Sequence, residues 1–336
     1  MSDIEEEELS FGESEEVEEE EDTKEEGEGE HEGEDAVLEP EDQIVACPVT
    51  QEMIAHGLSM LCKIGNGLAH AFVKMDLRDR RLTDIALLSN FVHLRFLDIS
   101  SNCLSDLSPL AALTQLLWLN VDGNRVESLA GQPMNQMAYL QCLSMATNRI
   151  HSPEGLKGLA LESLNLIGNS IRRMSGLQCD RLGNLVTLEL RGNKLETTDG
   201  IQLPNLRRLY LAQNRIKQLK GLDHLERLTT LHLRDNQLEI LDGMSANMKA
   251  LQYLNIRGNL VSSQKALHSL TSVSGTLQTL VLSENPLAEA EDYRLHLLAR
   301  LPLLERLDKK PVTADEREEA QAVLREFEED DILEQD

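Results

Sequence analysis

The chain has 336 residues, of which 41% are hydrophobic and 3% aromatic, and its 59 acidic and 32 basic side chains give a net charge of −27. This composition is enough for a sizeable core, but the negative charge disfavours phosphate binding, so nucleic acid is not an expected partner. The five cysteines are widely spaced and odd in number. This argues against a disulfide framework and for a reducing, intracellular compartment.

Residues 1–42 carry most of the negative charge. They contain 23 acidic side chains and a single lysine, Lys24, a net charge of −22 that leaves −5 for the rest of the chain. Such a segment repels itself and has little to bury, so we predict an acidic disordered tail. Two interpretations of it stay open: a solubilising segment, or a docking segment for a basic partner such as a histone.

A capping element is predicted over residues 43–71, before any repeat begins. Ile54, Leu58 and Leu61 stand at positions i, i+4 and i+7, the spacing of an amphipathic helix, and a Gly65-Asn66-Gly67 turn follows. We therefore expect a helical N-terminal cap that closes the apolar end of the next element.

Residues 72–290 repeat the pattern L-x-x-L-x-L-x-x-N-x-L. Ten frames fit, with spacings of 21 to 26 residues, and they begin at Phe72, Leu94, Leu116, Leu140, Leu161, Leu185, Leu206, Leu228, Leu251 and Leu277. This period is typical of leucine-rich repeats. The fold class predicted is therefore α/β: a right-handed leucine-rich-repeat solenoid of about ten coils, with apolar frame residues inside and short helical turns behind.

Asparagine fills the ninth position of every frame but the first, which has Arg80. Its short side chain has two donors and an acceptor, so it can satisfy backbone groups left buried where each coil turns. We predict a structural asparagine ladder rather than a binding site. Its members are Asn102, Asn124, Asn148, Asn169, Asn193, Asn214, Asn236, Asn259 and Asn285.

Two segments follow the repeats. Residues 291–312 are predicted to form a C-terminal cap, whose apolar series is Tyr293, Leu297, Leu301, Leu304 and Leu307. Residues 313–336 are predicted to form a helical acidic tail, since Thr313-x-x-Glu316 is a capping box. Its apolar stripe consists of Ala320, Val323, Leu324 and Phe327, and it could pack back on the cap or bind a partner helix.

Frame positions three, five and seven should face outward on the concave side, because side chains alternate along a strand. We predict a protein-binding face with acidic and aromatic residues in its N-terminal half and arginines with tyrosines in its C-terminal half. The predicted residues are Phe96, Asp98, Trp118, Asp122, Arg191, Arg208, Tyr210, Arg234, Tyr253 and Arg257. Local pairing of Glu189 with Arg208 or Arg234 is an alternative, as is an acidic tail that folds over the basic half.

No catalytic or metal-binding motif is found in the sequence. C-x-x-C, H-E-x-x-H, Walker A and G-x-S-x-G patterns are absent, and the nine histidines are scattered. We therefore expect no enzyme activity, cofactor, metal or small-molecule substrate. A run of about 18 apolar residues and an apolar leader are also lacking, so membrane contact is not expected.

The repeats resemble the short, roughly 22-residue leucine-rich-repeat class that includes the regulatory subunit of protein phosphatase one. Asn285-Pro286, Tyr293-Arg294, Leu301-Pro302 and Leu307-Asp308 are similar to the C-terminal cap of that class. The segments "HGLSMLCKIGNGLAHAFVK", "LYLAQN", "TTLHLRDNQ" and "LERLDK" look like those of leucine-rich-repeat proteins in ciliary and flagellar radial spokes. That resemblance implies a scaffold of the axoneme with radial-spoke partners; a phosphatase regulatory subunit and a histone-binding chromatin protein are the alternatives.

Overall fold

A single thirteen-stranded sheet runs through the computed structural model, which describes residues 45–322 except 66, 159, 291 and 292. The acidic segment 1–42 lies outside the described residues. The strands follow one another in chain order; the first and last pairs are antiparallel and the pairs between them parallel. They are β1 (Leu58–Ile64), β2 (Ala69–Asp76), β3 (Phe96–Asp98), β4 (Trp118–Asn120), β5 (Cys142–Ser144), β6 (Ser163–Asn165), β7 (Thr187–Glu189), β8 (Arg208–Tyr210), β9 (Thr230–His232), β10 (Tyr253–Asn255), β11 (Thr279–Val281), β12 (Arg306–Leu307) and β13 (Lys310–Pro311).

Short helices complete the coils behind the sheet. The α-helices are α1 (Gln51–Gly57) and α2 (Tyr293–Arg300), and residues 314–322, here called α3, are also helical. The 3₁₀ helices are Ala86–Asn90, Ser108–Ala112, Pro133–Gln136, Cys179–Arg181, Leu222–His224, Gln264–Val273 and Pro286–Glu289. The predicted leucine-rich-repeat solenoid, with short helical turns on its back, is confirmed.

The core is one continuous column of aliphatic side chains. In the coil that begins at Leu206, the residues Leu206, Leu209, Leu211 and Ile216 are all fully buried. Equivalent leucines stack above and below them in a single cluster that extends from Val49 to Ala320. Each fully buried leucine stabilises the fold by roughly 1.5–3 kcal/mol, so burial in repeated layers replaces a large globular core.

The asparagines at position nine are buried between the coils. Asn214 Nδ2 donates to the carbonyl oxygens of Leu211 and Leu190, both at 3.0 Å, the second of which belongs to the preceding coil. Its Oδ1 accepts from the N–H of Leu195, also in the preceding coil, at 3.0 Å. The same pattern recurs from Asn102 to Asn285. Each asparagine thus satisfies buried backbone groups of two coils at once.

The N-terminal cap corrects the prediction of a helix through Leu61. Helix α1 starts after Thr50, whose hydroxyl accepts from Met53 N–H at 3.2 Å, and ends at Gly57. A Cβ at Gly57 would lie 2.4 Å from the carbonyl oxygen of Asp76, so this glycine permits a close crossing. The chain then enters β1, which pairs with β2 as a hairpin instead of continuing the helix.

Phe72 also departs from its predicted place in the core. Leu61 pairs directly with Phe72 across the hairpin, and their side chains are 59% and 44% exposed. Strand β2 is already extended at residue 69, so Phe72 has the same parity as Lys74 and points to the outer face of the sheet. In later coils the first frame position lies before the strand, and its leucine turns inward.

The C-terminal cap joins α2, β12, β13 and α3. Leu297, Leu301, Leu304 and Leu307 are fully or almost fully buried, while Asp308 Oδ1 accepts from the N–H of Leu282 at 2.7 Å. The capping box predicted at the start of α3 is present. Thr313 N–H donates to Glu316 Oε2 at 2.9 Å, and Glu316 N–H donates to Thr313 Oγ1 at 3.3 Å.

Helix α3 packs back onto this cap. Arg294 Nε donates to Glu316 Oε1 at 2.7 Å, Arg317 donates to the carbonyl oxygens of Pro302 and Leu304, and Ala320 is buried. The described part of the C-terminal tail is therefore a component of the cap. Val323, Leu324 and Phe327, the other members of the predicted stripe, lie outside the described residues.

Candidate functional site

The parallel strands align the predicted outward positions into two straight rows on the concave face, the side of the sheet turned away from the core. Position three contains Lys74, Phe96, Trp118, Cys142, Ser163, Thr187, Arg208, Thr230, Tyr253 and Thr279. Position five contains Asp76, Asp98, Asn120, Ser144, Asn165, Glu189, Tyr210, His232, Asn255 and Val281. Neighbouring strands lie roughly 5 Å apart, so residues from successive coils can act together.

Nine of the ten predicted face residues are partly exposed, and Phe96 is the exception. Phe96 retains only 6% of its accessible surface. It lies in the position-three row between Lys74 and Trp118, whose long side chains flank it on both sides. A phenyl ring in the middle of such a row is covered by its neighbours, so Phe96 supports the surface without forming much of it.

The N-terminal half of the concave face has a cleft of about 250 Å³ lined by Phe96, Asp98, Trp118, Lys74, Met75, Asp76 and Arg78. Arg78 Nη2 lies 2.7 Å from Asp76 Oδ2, and its Nε lies 3.5 Å from Asp98 Oδ2. The guanidinium of Arg78 lowers the pKa of Asp76. Arg78 was not among the predicted site residues, although its place at position seven, two residues after Asp76, was a usable signal.

Asp122 differs from the other predicted acidic residues because the next coil holds its carboxylate. Asp122 Oδ1 accepts from Ser144 Oγ at 2.5 Å and from Ala146 N–H at 2.6 Å. Burial raises its pKa, and the hydrogen bonds from Ser144 and Ala146 oppose that rise. This geometry gives Asp122 a role in joining two coils.

The C-terminal half contains a continuous aromatic stack. The Tyr210 and His232 rings are 4.8 Å apart at 28°, and the His232 and Tyr253 rings are 4.8 Å apart at 24°. These three residues come from β8, β9 and β10. The two tyrosines were predicted site residues and His232 was not, although it lies at position five of the strand between theirs.

The predicted arginines border this stack, and acidic residues at position eight moderate their charge. Arg234 Nε lies 3.2 Å from Asp235 Oδ2, and Arg257 Nη2 lies 2.5 Å from Glu284 Oε1. The hydrogen bond from Arg257, together with its charge, lowers the pKa of Glu284. Arg208 Nε donates to Thr187 Oγ1 at 3.1 Å. The two halves therefore differ less in net charge than the sequence predicted, and their aromatic groups distinguish them better.

Arg191, the remaining predicted residue, is partly exposed just after β7. No group of three or more histidine, cysteine, aspartate or glutamate side chains in residues 45–322, with the gaps given above, is arranged to hold a metal ion. Within the same residues, every helix is too short or too polar to cross a membrane. The arrangement of the concave face suits recognition of another macromolecule by stacking, salt bridges and hydrogen bonds.

Two family models match the chain, both describing leucine-rich repeats, over residues 184–335 and 93–113. Proteins built from this repeat are typically non-catalytic scaffolds that bind protein partners.

Among solved structures, an internalin from Listeria monocytogenes has a TM-score of 0.52 at 22% identity, covering 71% of this chain and 74% of its own. A leucine-rich-repeat protein of Leptospira interrogans also has a TM-score of 0.52 at 22% identity, covering 76% and 82%. These likenesses concern the fold alone.

Longer similarity is found with leucine-rich repeat-containing protein 23 of vertebrates. The Homo sapiens protein is 48% identical over 283 residues, which is 84% of this chain and 81% of the relative. The Xenopus tropicalis protein is 49% identical over 292 residues, or 81% and 77% of the two chains. The similarity therefore includes most of the solenoid and is not confined to one repeat.

Proposed function

We propose that this chain, which belongs to the family of leucine-rich repeat-containing protein 23, is a scaffold of the axoneme in cilia and flagella. In this proposal it has no enzyme activity and holds radial-spoke components on its concave face. It thereby supports ciliary and sperm flagellar motility. The stacked aromatic rings of Tyr210, His232 and Tyr253 are the observation that carries the binding role.

The stack supports a protein-binding role because the fold does not require it. In the same two rows, small residues such as Ser163 and Thr187 occupy equivalent positions and the strands still pair. Tyrosine and arginine are among the residue types that are enriched where protein interfaces gain their affinity. A stack of three partly exposed rings offers a flat, rigid surface that loses little side-chain entropy on binding.

The cleft around Trp118 supports a second contact of the same partner or of an adjacent one. Asp98 and Arg78 place opposite charges beside an indole ring, which suits a partner segment with both polar and apolar groups. From Trp118 on β4 to Tyr253 on β10 there are six strand spacings, roughly 30 Å. An elongated partner that lies across the strands can reach both contacts.

The axonemal part of the proposal rests on the resemblance of four segments to radial-spoke leucine-rich-repeat proteins. Those segments lie in β1, β2, β8, β9 and the C-terminal cap, so they come from both ends and the middle of the solenoid. Three of them contribute concave residues, among them Tyr210 and His232. The resemblance thus includes part of the surface to which we assign partner binding.

Extraction of axonemes provides the test. Flagellated cells would express the tagged full chain, a Tyr210→Ser/Tyr253→Ser variant, or a Tyr139→Ser control in place of their own protein. Tyr139 is 56% exposed and outside the concave rows, so its loss removes an accessible tyrosine without touching the stack. After detergent extraction and a salt wash, we expect the wild type and the control to stay with the axoneme and the double variant to wash out.

Two results would contradict the proposal. If the wild-type chain is absent from the insoluble axoneme, the axonemal assignment is wrong. If the double variant is retained as well as the control, the aromatic stack is not the binding surface. Recovery of the chain in the soluble fraction with a phosphatase catalytic subunit or with histones would favour the corresponding alternative function.

A further inference from the structure

A row of cations runs along one edge of the solenoid, outside the concave face. It consists of the tenth-position residues of the first seven coils, directly after the ninth position. In chain order they are Arg81, Cys103, Arg125, Arg149, Ser170, Lys194 and Arg215. Five of the seven carry positive charge and none is acidic, so we refer to these seven residues as the basic row.

Backbone hydrogen bonds hold the basic row in line. The N–H of Arg125 donates to Leu104 O at 2.8 Å, and that of Arg149 donates to Val126 O at 2.9 Å. Cys103, Ser170, Lys194 and Arg215 make the same bond to the preceding coil, and Arg81 begins the row in the first coil. Successive side chains are therefore one coil apart, roughly 5 Å. Lys194 Nζ reaches Ser170 Oγ at 3.2 Å, which shows that side chains of adjacent coils meet. From Arg81 to Arg215 the row is roughly 30 Å long.

The cations of the basic row are available to a ligand. Arg81, Arg149 and Arg215 are exposed, whereas Arg125 and Lys194 are half-buried. No ion pair involves any of the five within the described part of the chain. Cys103 and Ser170 occupy the same position in other coils, so the turn itself does not require a cation.

The adjacent exposed row does not cancel this charge. Position twelve of the same coils contains Glu127 and Glu196, but it also contains Arg172 and Lys217. These four charges balance one another, and the basic row keeps its five. A linear array of like charges at one-coil spacing raises the local positive potential and attracts an extended anionic chain.

Residues 47–49, near the start of the described part of the chain, lie close to Arg81, the first member of the basic row. Thr83 N–H donates to Cys47 O at 2.9 Å, and Val49 N–H donates to Asp84 O at 2.8 Å. Residues 47–49 therefore run next to residues 83–84, two residues beyond Arg81. The segment that precedes them, residues 1–42, has a net charge of −22, and it is tethered at this edge of the solenoid.

We propose that residues 1–42 of this chain dock along the basic row, from Arg81 toward Arg215. An extended segment of that length reaches roughly 140 Å, several times the length of the row. Its tether gives it a local concentration on the order of millimolar, which favours it over an acidic partner free in solution. Charge pairs at such an exposed edge are individually weak and screened by salt, so docking depends on many pairs at once.

Zero-length carbodiimide coupling tests this docking in the full chain, because it joins carboxylates to lysine amines in direct contact. Lys194 is the single lysine of the basic row, so it reports on the bound segment. Chains with light and heavy isotopes would be mixed in equal amounts at low ionic strength. We expect coupling of Lys194 to acidic residues of 1–42 within one isotope form, and its loss in about half-molar sodium chloride.

A charge-reversal variant makes the test specific. Arg125→Glu/Arg149→Glu/Arg215→Glu should lower the yield of coupling between Lys194 and the tail at least fivefold. The matched control, Arg181→Glu/Arg207→Glu/Arg227→Glu, reverses three exposed arginines off the row and should change it less than twofold. A glutamine version of the first variant should act in the same direction with a smaller effect, and thermal unfolding should show that all variants fold.

Three outcomes would overturn the proposal. Coupling spread equally over off-row lysines such as Lys157 and Lys249 would mean that the tail has no preferred site. An unchanged yield in the row variant would mean that the row does not hold it. Products of mixed isotope would assign the contact to a second copy. The basic row shares no residue with the concave rows, so each of these outcomes leaves the proposed concave binding intact.

Discussion

Two rows that run the length of the same solenoid differ in how much their residues vary. The ninth position is asparagine in nine coils, from Asn102 to Asn285, and all nine are buried. Position three of the concave face changes from tryptophan to serine, arginine and tyrosine along the same coils. The ninth position has to satisfy buried backbone groups, which are the same in each coil. The side chain at position three does not have to satisfy such groups, so the residues there are available for binding.

The largest effect that this comparison predicts is on stability at the asparagine ladder. Asn214→Ala removes hydrogen bonds to two coils and leaves the N–H of Leu195 buried without its acceptor. We expect the free energy of unfolding to fall by roughly 2–4 kcal/mol, measured by chemical denaturation. The control Asn247→Ala, at an exposed site, should change it by less than about 0.5 kcal/mol. Equal effects from both variants would refute the structural role.

A smaller effect on stability is expected from the concave face. Tyr253→Ser removes one ring of the stack with His232, and an aromatic contact of this kind contributes about 0.5–1.5 kcal/mol. Chemical denaturation should therefore show a loss of about 1 kcal/mol, well below that of Asn214→Ala. A loss as large as that of the asparagine variant would place Tyr253 among the residues that the fold requires, and the comparison between the two rows would fail.

The smallest effect concerns the C-terminal cap and depends on pH, because solvent screens the partly exposed ion pair of Arg294 and Glu316. Arg294 and the Thr313 backbone lower the pKa of Glu316 to about 2 from its ordinary 4.5. A carboxyl whose pKa is lower in the folded state stabilises above its unfolded pKa, and that contribution is lost as the pH falls from about 4.5 toward 2. Thermal unfolding of Glu316→Gln should therefore differ from that of the wild type at pH 6 and converge with it near pH 2. A difference between the two proteins that stays the same from pH 6 to pH 2 would contradict this linkage. The control is Glu318→Gln, an exposed glutamate on the same helix.

Much of the fold could be predicted from the repeat, because frame and register follow from the positions of leucine and asparagine. The rows that begin at Lys74 and Asp76 are paired as the frame predicted. The repeat begins at residue 72, however, so its pattern did not indicate that Leu58–Ile64 is a hairpin strand. Pairing with this strand places Phe72 on the outer face of the sheet. In that segment the helical spacing of Ile54, Leu58 and Leu61 was misleading. The close backbone crossing at Gly57 ends the helix, and the glycine turn after β1 folds the chain into a hairpin.

The chemistry of the candidate site was less predictable than its location. Contacts between coils decide it: Asp122 bonds Ser144, and Arg257 pairs with Glu284. Each contact joins residues more than 20 positions apart and depends on side-chain conformation, which a repeat pattern does not specify. The predicted list therefore included Asp122, which is held by the neighbouring coil, and omitted His232 and Arg78, which complete the stack and the cleft.

Site-specific photocross-linking tests the central claim, that partners bind the concave face at the aromatic stack. A photoreactive phenylalanine analogue would replace Tyr253 in one full chain and Tyr139, an exposed tyrosine off the face, in another. Both would be irradiated in intact axonemes. We predict that the analogue at 253 cross-links a radial-spoke protein, whereas the analogue at 139 does not cross-link it. The same partner cross-linked at 139 and not at 253 would contradict the account.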